Sequence, residues 1–466
     1  MNLSPKLGRL LSAEQMERME AGAMRVLDEV GYAVPEEVRP ELARRPGVAI
    51  KEGRVTLSPK IVGDYLHEVR AKAAKVAPAA EARTKLSVGG WAEWMLDMET
   101  DEIRRPTTPD LIRSARLIDA LHGEGVVGRT LGFPADVPIL LKGLMQFKVC
   151  AEYNEHNTPM SGVTNIETAD HLADMHRVMD VPLSHGLHVV SPLSMGGTEF
   201  DTAVYLARSG KIRNFSVGAM PMAGATAPIH FIGAFVQDIA DAAGGAVILK
   251  LLFPEIEVSF GLAAYHFDMR AGNIIYGSPE DNLISLAVMD FNERYRGVRS
   301  GRHFCRTMAK RPGIQAAAEM AVSAAFGAMA GAPSFTGVGV LSLDEIHSDE
   351  QVALTIEVRD YVDRVKSGIE FGETELSVGE IIDAVRSGES YLGREETVRT
   401  HTRTCWYPRF LSRTVYAQSP GETDVELRAR LKEFIRKKVA GHEYRLDAAR
   451  RRELDRIYRK AERAVG

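Results

Sequence analysis

The sequence predicts a (β/α)8 barrel with an N-terminal helical cap and C-terminal helices. Three observations carry that expectation. From Leu86 onward, short apolar runs alternate with segments of helical periodicity about eight times in roughly 280 residues, which is the count and length of such a barrel. The loops after the apolar runs are the long ones, and they hold the unusual residues. No GxGxxG and no Walker A pattern follows any of the runs, which disfavours the rival, an open doubly wound sheet with a phosphate-binding turn.

Taken in order, the chain divides into a cap (1–85), the barrel (86–368) and a C-terminal extension (369–466). Ser12-Ala13-Glu14-Gln15 is a capping box ahead of Met16, Met19, Ala23, Val26, Leu27 and Val30 at helical spacing, and Gly31 fits the stop. Val48–Ile50 and Arg54–Leu57 flank Lys51-Glu52-Gly53 as a hairpin, and Ser58-Pro59 starts a second helix. Strands are expected near Leu86–Gly89, Val126–Leu131, Met160–Val163, Leu187–Val190, Phe215–Gly218, Glu257–Gly261, Val298–Ser300 and Ser334–Val340, with an inserted hairpin over Trp91–Arg104. Helices are expected from Thr108 and after Pro138, Glu167, Thr198, Ile229, Glu280, Gln315 and Asp349. Beyond Gly368 come a short helix (Val378–Ser387) and two charged ones (Thr423–Val439 and Arg445–Arg463). The tail is mildly basic, which reads as a solvated face or as a docking surface for an acidic partner.

A net charge of −5 argues for neither nucleic acid nor a membrane surface as the main partner. Cys150, Cys305 and Cys405 are too scattered for a disulfide framework or a CxxC metal pair, which fits a reducing cytoplasm. No uninterrupted run of about 18 apolar residues is present, so no membrane-crossing helix is expected, and Met1–Leu11 does not read as a signal peptide.

Barrel chemistry sits at the C-terminal strand ends. The loops there carry Phe133, Glu199, Met222, Gly224, Thr226, Tyr265, His266, Asp268, Arg270, Tyr276, Arg302, His303 and Phe304. Aromatic faces with one carboxylate suit a fixed cation such as a quaternary ammonium, through contacts worth about 0.5–2 kcal/mol per ring. Each ring can equally be packing. His303 and Cys305 could seed a zinc site, but they are half of one. The amides of Gly196–Thr198 and Gly224–Thr226 could hold an anion, or simply make tight turns.

Pro221-Met222-Ala223-Gly224-Ala225-Thr226-Ala227-Pro228 resembles the trimethylamine methyltransferase family. Asp268-Met269-Arg270-Ala271-Gly272 with Gly277-Ser278-Pro279-Glu280 resembles that family's D-M-R-x-G … G-S-P-E loop. Val190–Ser194, Leu96–Thr100, Asp136–Pro138 and Trp406–Arg409 also fit, so the resemblance covers nearly the whole chain. Two stretches depart from the pattern. Ser300–Lys310 replaces S-G-G-x-x-T-D-S-K, and Arg394 and Glu396 stand where two histidines are expected. With no pyrrolysine, the chain resembles the branch acting on quaternary amines such as glycine betaine.

The resemblance implies a cytoplasmic barrel enzyme that moves a methyl group from a small quaternary amine to the cob(I)alamin of a corrinoid-carrying partner protein. It binds no metal directly and self-associates. Tetrahydrofolate as acceptor, a barrel lyase or hydrolase, and a betaine-binding protein are the rivals. A quaternary nitrogen leaves as a neutral amine, so no general acid is required and positioning dominates. The cage candidates are Tyr265, Phe304, Phe133 and Tyr276, with His266 and His303 beside them. Asp268 or Glu199 would balance charge, Arg270 or Arg302 would clamp a substrate carboxylate, and Met222, Gly224 and Thr226 would face the cofactor.

Overall fold

The computed structural model describes residues 2–77, 83–90, 92–130, 132–157, 165–421 and 423–465. Helix α1 (Ala13–Glu29) opens with the expected capping box between Ser12 and Gln15, and Gly31 follows it at φ +71°. Strands β1 (Val48–Lys51) and β2 (Arg54–Leu57) form the hairpin, and α2 (Pro59–Ala73) follows. This cap is fastened to the body through a buried carboxylate. Glu20 of α1 accepts from Arg70 of α2 (2.7 Å), and from Arg294 (2.7 Å) and the Tyr295 hydroxyl (2.8 Å) further along the chain.

The body begins with β3 (Lys85–Val88), α3 (Thr108–Ala120), β4 (Val126–Gly128), α4 (Lys142–Tyr153) and α5 (Ala169–Val178). It continues through β5 (Ser184–Val189), α6 (Gly197–Arg208), β6 (Asn214–Ala219), α7 (Phe231–Leu252) and β7 (Glu257–Gly261). A short strand, β8 (Tyr265–Asp268), leads to α8 (Pro279–Arg296), α9 (Ile314–Met329), β9 (Ser334–Val338) and α10 (Asp349–Lys366). The hairpin inserted after β3 is present as Trp94–Leu96 against Ile103–Arg104.

The parallel strands make two three-stranded sheets, ordered β9-β3-β4 and β7-β6-β5. Among the described residues no sheet closes on itself, so the expected barrel is seen as two parallel arcs of a mixed α/β fold. The strand expected near Met160–Val163 lies outside the described residues. The one expected at Val298–Ser300 does not form. The Ser300 amide turns back onto the Val298 carbonyl (2.8 Å), and Arg299 is drawn aside by Asp290 (2.7 Å) and the Ala330 carbonyl (2.9 Å).

Within β5, β6 and β7 side chains alternate strictly. Leu187, Val217 and Phe260 are buried against helices, while Gly186, Ser216 and Ser259 turn to the opposite, open face. Helix α7 is the central packing element. Its 22 residues are long and apolar enough to cross a membrane, contrary to the expectation from uninterrupted runs, because Asp238 and Asp241 break the run but not the helix. In its most apolar window 78% of the residues are buried inside the molecule, as in a core helix. A single apolar cluster joins Leu11–Leu66 of the cap, the β5–β7 arc, α7 and Leu446–Ala461.

The extension carries α11 (Val378–Ser387), α12 (Glu395–Thr404), α13 (Asp424–Ala440) and α14 (Ala448–Val465). The basic residues of α13 mostly meet acids of the body. Arg428 pairs with Glu350 (2.8 Å) and Asp101, and Arg436 pairs with Glu99 (2.6 Å). That leaves little of this helix to greet an acidic partner.

Candidate active site

Three polar residues in the first half of α7 fix three neighbouring loops. Asp241 accepts the Ser191 hydroxyl (2.7 Å) and the Leu193 amide (2.6 Å) after β5. Gln237 donates to the Thr226 carbonyl (2.6 Å) after β6. Asp238 accepts the Ala263 amide (2.6 Å) after β7. One rigid helix therefore sets the relative positions of the C-terminal ends of the whole arc.

Past Ala263 the chain builds an aromatic cluster. Tyr265 and His266 pair in parallel with Met222 and Ala223, and Phe267-Asp268 fold back on Asn273-Ile274. The ring centroids of Tyr265 and Tyr276 are 6.0 Å apart, those of Tyr265 and His303 5.7 Å, and those of Tyr276 and His303 4.8 Å. Two guanidinium groups back the tyrosines. Arg302 lies 4.2 Å from the Tyr265 centroid and donates to the Ala264 (2.9 Å) and Ala263 (3.3 Å) carbonyls. Arg306 lies 4.7 Å from the Tyr276 centroid, donates to its hydroxyl (2.5 Å) and pairs with Asp344 (2.7 Å). His303 holds a left-handed backbone at φ +55°, closed by the Arg306 amide on its carbonyl (2.9 Å), a conformation kept in a non-glycine residue only when its surroundings enforce it.

Burial dominates the electrostatics. It pushes the Asp238 carboxyl up to about 8 and those of Asp281 and Asp344 up to about 6, against the lowering pull of Arg302 on Asp238, of both arginines on Asp281 and of Arg306 on Asp344. Burial, helped by the same two cations, holds His303 well below the ordinary histidine range, so its imidazole is neutral. Near pH 7 the cluster thus holds two guanidinium charges, two largely ionised carboxylates and a mostly protonated Asp238. Several of its buried atoms have no hydrogen-bond partner: His303 Nδ1, Arg306 Nε, Asp344 Oδ1 and His266 Nδ1. Each such atom costs about 1–3 kcal/mol when left unpaired, and their concentration here marks a place where a polar ligand would be rewarded.

The structure gathers Tyr265, Tyr276, His266, Arg302 and His303 of the expected site residues and leaves others elsewhere. Phe304 faces the core, edge-on to Phe335 at 5.9 Å and flat against Gly301 and Gly327, where a Cβ would meet its ring at 3.0 and 2.6 Å. Phe133 is buried in the loop after β4, its amide bonded to the Ala92 carbonyl (3.2 Å). Asp268 does not reach the rings. Its carboxylate accepts the Arg270 (2.7 Å) and Ala271 (3.0 Å) amides and caps a surface turn, with Arg270 exposed at the tip. Glu199 pairs with His188 Nδ1 (3.2 Å) and the His188 amide (3.2 Å) beside β5, raising the imidazole's proton affinity.

Met222, Gly224 and Thr226 lie in a turn that consumes its own polar groups. The Met222 carbonyl accepts the amides of Ala225, Thr226 and Ala227, Gly224 donates to Ala227, and the Thr226 hydroxyl accepts from Met222 (2.9 Å). The amides of Gly224, Ala225 and Thr226, the ones expected to hold an anion, are therefore all taken. Cys305 is buried in the core with its thiol pushed up by burial, and among the described residues no three His, Cys, Asp or Glu side chains gather as a metal site.

Residues 4–466 match the model of the family described as trimethylamine methyltransferase (MTTB). The chain belongs to the trimethylamine methyltransferase family. It is similar to the glycine betaine methyltransferase of Desulfitobacterium hafniense (strain Y51), with 23% identity over 465 residues and 93% of each chain covered. It is similar to the proline betaine:corrinoid methyltransferase of Eubacterium limosum, with 24% identity over 471 residues and again 93% of each covered. Its likeness to the trimethylamine methyltransferase MttB of Methanosarcina thermophila is 32% over 207 residues. That stretch spans 44% of this chain and only 42% of the archaeal protein.

Set on the fold, several of the motifs on which the sequence resemblance rests prove to be turns and caps. Asp97 accepts the Glu99 amide (2.8 Å), Asp136 accepts the Thr108 amide (2.9 Å), and Ser278 accepts the Asp281 amide (3.1 Å). The stretch that departs from the family pattern, 300–310, supplies Arg302, His303 and Arg306 to the cluster. The other departure lies on the extension, where Arg394 stacks on Tyr391, pairs with Glu389 and accepts the Val398 amide. Sequence reasoning passed over Asp238 and Asp241, although two aspartates three apart in an apolar helix are a visible signal. It gave no site role to Asp281, Arg306 or Asp344.

Proposed function

We propose that this chain is a methyltransferase taking a methyl group from a small quaternary amine that also bears a carboxylate, and passing it to the Co(I) corrinoid of a partner protein. One observation supports this most. The Tyr265–Tyr276–His303 cluster is backed by two arginines and holds unpaired buried polar atoms, in a member of this family. The balance of two cations against two carboxylates suits a zwitterion better than a bare cation. The ring faces already meet Arg302 and Arg306, so the edges of the cluster, Asp344 and Asp281 would receive the ammonium group. The arginines would receive the carboxylate, as guanidinium groups do in bidentate fashion.

In this reading the reduced corrinoid supplies the nucleophile. The chain's own residues bind and orient the amine and exclude water, and no proton need move, because the amine leaves neutral. The same reading takes the two parallel arcs as parts of one barrel with the cluster at its mouth. Exposed apolar side chains ring the strand ends there: Val190, Met220, Ile229, Ile232 and Met269. A rim of this kind, with the self-contained turn at Met222–Ala227 beside it, suits a docking corrinoid protein.

The test is a melting-temperature screen with glycine betaine, proline betaine, carnitine, choline and trimethylamine, followed by methyl transfer to cob(I)alamin read from its absorption spectrum. A ligand at about 100 times its Kd should stabilise by roughly 2.7 kcal/mol. Betaines should shift the transition and choline should not. Stabilisation by none of them, with no methylcobalamin formed, overturns the reading.

A further inference from the structure

The strand expected at Val298–Ser300 does not form, and among the described residues β7 is the edge strand of its sheet. Two carbonyls of β7, spaced by two residues and so on one edge, are taken by side chains instead of a neighbouring strand. Val258 accepts the Tyr65 hydroxyl of α2 (2.8 Å), and Phe260 accepts Nη2 (2.9 Å) and Nε (3.3 Å) of Arg296 at the end of α8. The cleft left between α2, α8 and β7 encloses about 480 Å³.

Arg296 has no counter-ion there. Its guanidinium is recessed enough for burial to lower its proton affinity, and no carboxylate acts to raise it. Two of its three nitrogens rest on the Phe260 carbonyl, and among the described residues Nη1 makes no hydrogen bond. A Cβ on Gly261 would collide with Nη2, so this glycine lets the group lie flat along the strand edge. Other cations of the cleft are already engaged. Lys72 sits between Glu68 (3.1 Å) and Glu257 (3.4 Å), and Lys250 closes a turn through the Pro254 (2.7 Å) and Ile256 (3.1 Å) carbonyls. Glu255 lines the same wall, so carboxylates balance cations there and a singly charged ligand is favoured over a phosphate. The side formed by α2 and the turn after it is apolar, through Val69, Ala73 and Val76.

We infer that this cleft binds a short aliphatic carboxylate. The carboxylate takes Arg296 through Nη1, the nitrogen that Phe260 does not use, and the chain lies on Val69, Ala73 and Val76. Such a contact is charge-assisted and directional, and the cleft falls within the roughly 300–1,000 Å³ of small-molecule sites. A ligand held there joins α2 of the cap to β7 and α8 of the body, so it stabilises the joint between them. This site is separate from the Tyr265 cluster and does not depend on the proposed reaction.

The experiment uses the full chain and butyrate, with butylamine, butanol, phosphate and chloride at matched ionic strength beside it. Butyrate should bind saturably in calorimetry and raise the melting temperature, and the other four should not. Arg296→Met should weaken butyrate by at least about tenfold, the loss of one charge-assisted hydrogen bond, while Arg296→Lys keeps part of the affinity. Hydrogen exchange reads the site without any substitution. Butyrate should slow exchange in Pro59–Ala73 and Glu257–Gly261 and leave the backbone around Tyr265 unchanged. The absence of saturable binding overturns the inference, as does stabilisation that chloride matches. Protection centred on Tyr265 assigns butyrate to the aromatic cluster instead, and unchanged affinity in folded Arg296→Met removes the guanidinium from the site. Either result also overturns it.

Discussion

The turn after β6 and the loop leading from α8 into α9 both border Tyr265, yet they spend their polar groups differently. In the Met222–Ala227 turn the amides of Met222 and of Gly224 to Ala227 all close on the turn itself. In the 300–310 loop a histidine is held at positive φ, two guanidinium groups are drawn under tyrosine rings, and His303 Nδ1 and Arg306 Nε find no partner. The resemblance described in the sequence rests on a motif in the first loop, while the second is one of the two stretches that depart from it. A satisfied turn lends shape alone, whereas buried polar groups without partners are costly until a ligand meets them.

Substitutions can break this contrast, and the largest effect is expected at Arg306. Arg306→Ala leaves Asp344 half-buried without its cation and removes the guanidinium beneath Tyr276. Affinity for a betaine should fall at least 100-fold by calorimetry, and stability at pH 7–8 should drop by about 3 kcal/mol. Arg306 is the cation that holds the Asp344 carboxyl down to about 6, so in its absence that group rises further and the stability loss should shrink as pH falls from 8 toward 6, with no further change below. An Arg306→Ala protein that binds as before would remove the loop from the site.

Next in size is the buried Asp238 that positions Ala263 and, through it, Tyr265. Its carboxyl is raised in the fold to about 8, so the stability it lends is fully present below the unfolded pKa near 4. It is lost progressively as pH rises to 8. Asn keeps the acceptor for the Ala263 amide but cannot ionise. In chemical denaturation, the advantage of Asp238→Asn over wild type should widen by about 1 kcal/mol per pH unit between pH 5 and 8 and level off above. A constant gap would mean that Asp238 is ionised in the fold.

Much of the scaffold was legible because it rests on local rules. The capping box at Ser12, the hairpin around Gly53, the inserted hairpin at Trp94–Arg104 and the onset of the helices of the body follow from caps, turns and periodicity. The expected strand at Val298–Ser300 failed because three apolar-flanked residues cannot outweigh the ion pairs that pull Arg299 away. Tyr265, Tyr276 and His303, which the structure brings into one cluster, were singled out by residue type and loop position. Phe304 looked the same in sequence but points into the core, because side-chain direction after an irregular segment is set by tertiary packing against Gly301 and Gly327. Asp238 was hidden by the hydrophobicity of its own helix.

Smaller effects sharpen the other side of the contrast. Gly224 stands at φ +96° with Ile229 Cδ1 only 2.9 Å from where a Cβ would lie. Gly224→Ala should therefore cost about 1–2 kcal/mol of stability. Ligand affinity of the folded protein should stay within a factor of about two, since the turn lends the site shape and no hydrogen bond.

The smallest effect is expected at Asp268, the residue that sequence reasoning placed in charge compensation. Its carboxylate is solvent-facing, sits below the ordinary range because two backbone amides hydrogen-bond it, and answers to Arg270 and Ala271 rather than to the rings. Asp268→Asn retains one acceptor for that turn. It should leave both the melting temperature and betaine affinity nearly unchanged across pH 6–8, where the wild-type carboxylate is fully ionised throughout. A large loss of affinity with the fold intact would instead mean that the turn swings in over bound substrate and that Asp268 reaches the ammonium. That result would move the charge-balancing role from Asp344 and Asp281 to the surface turn.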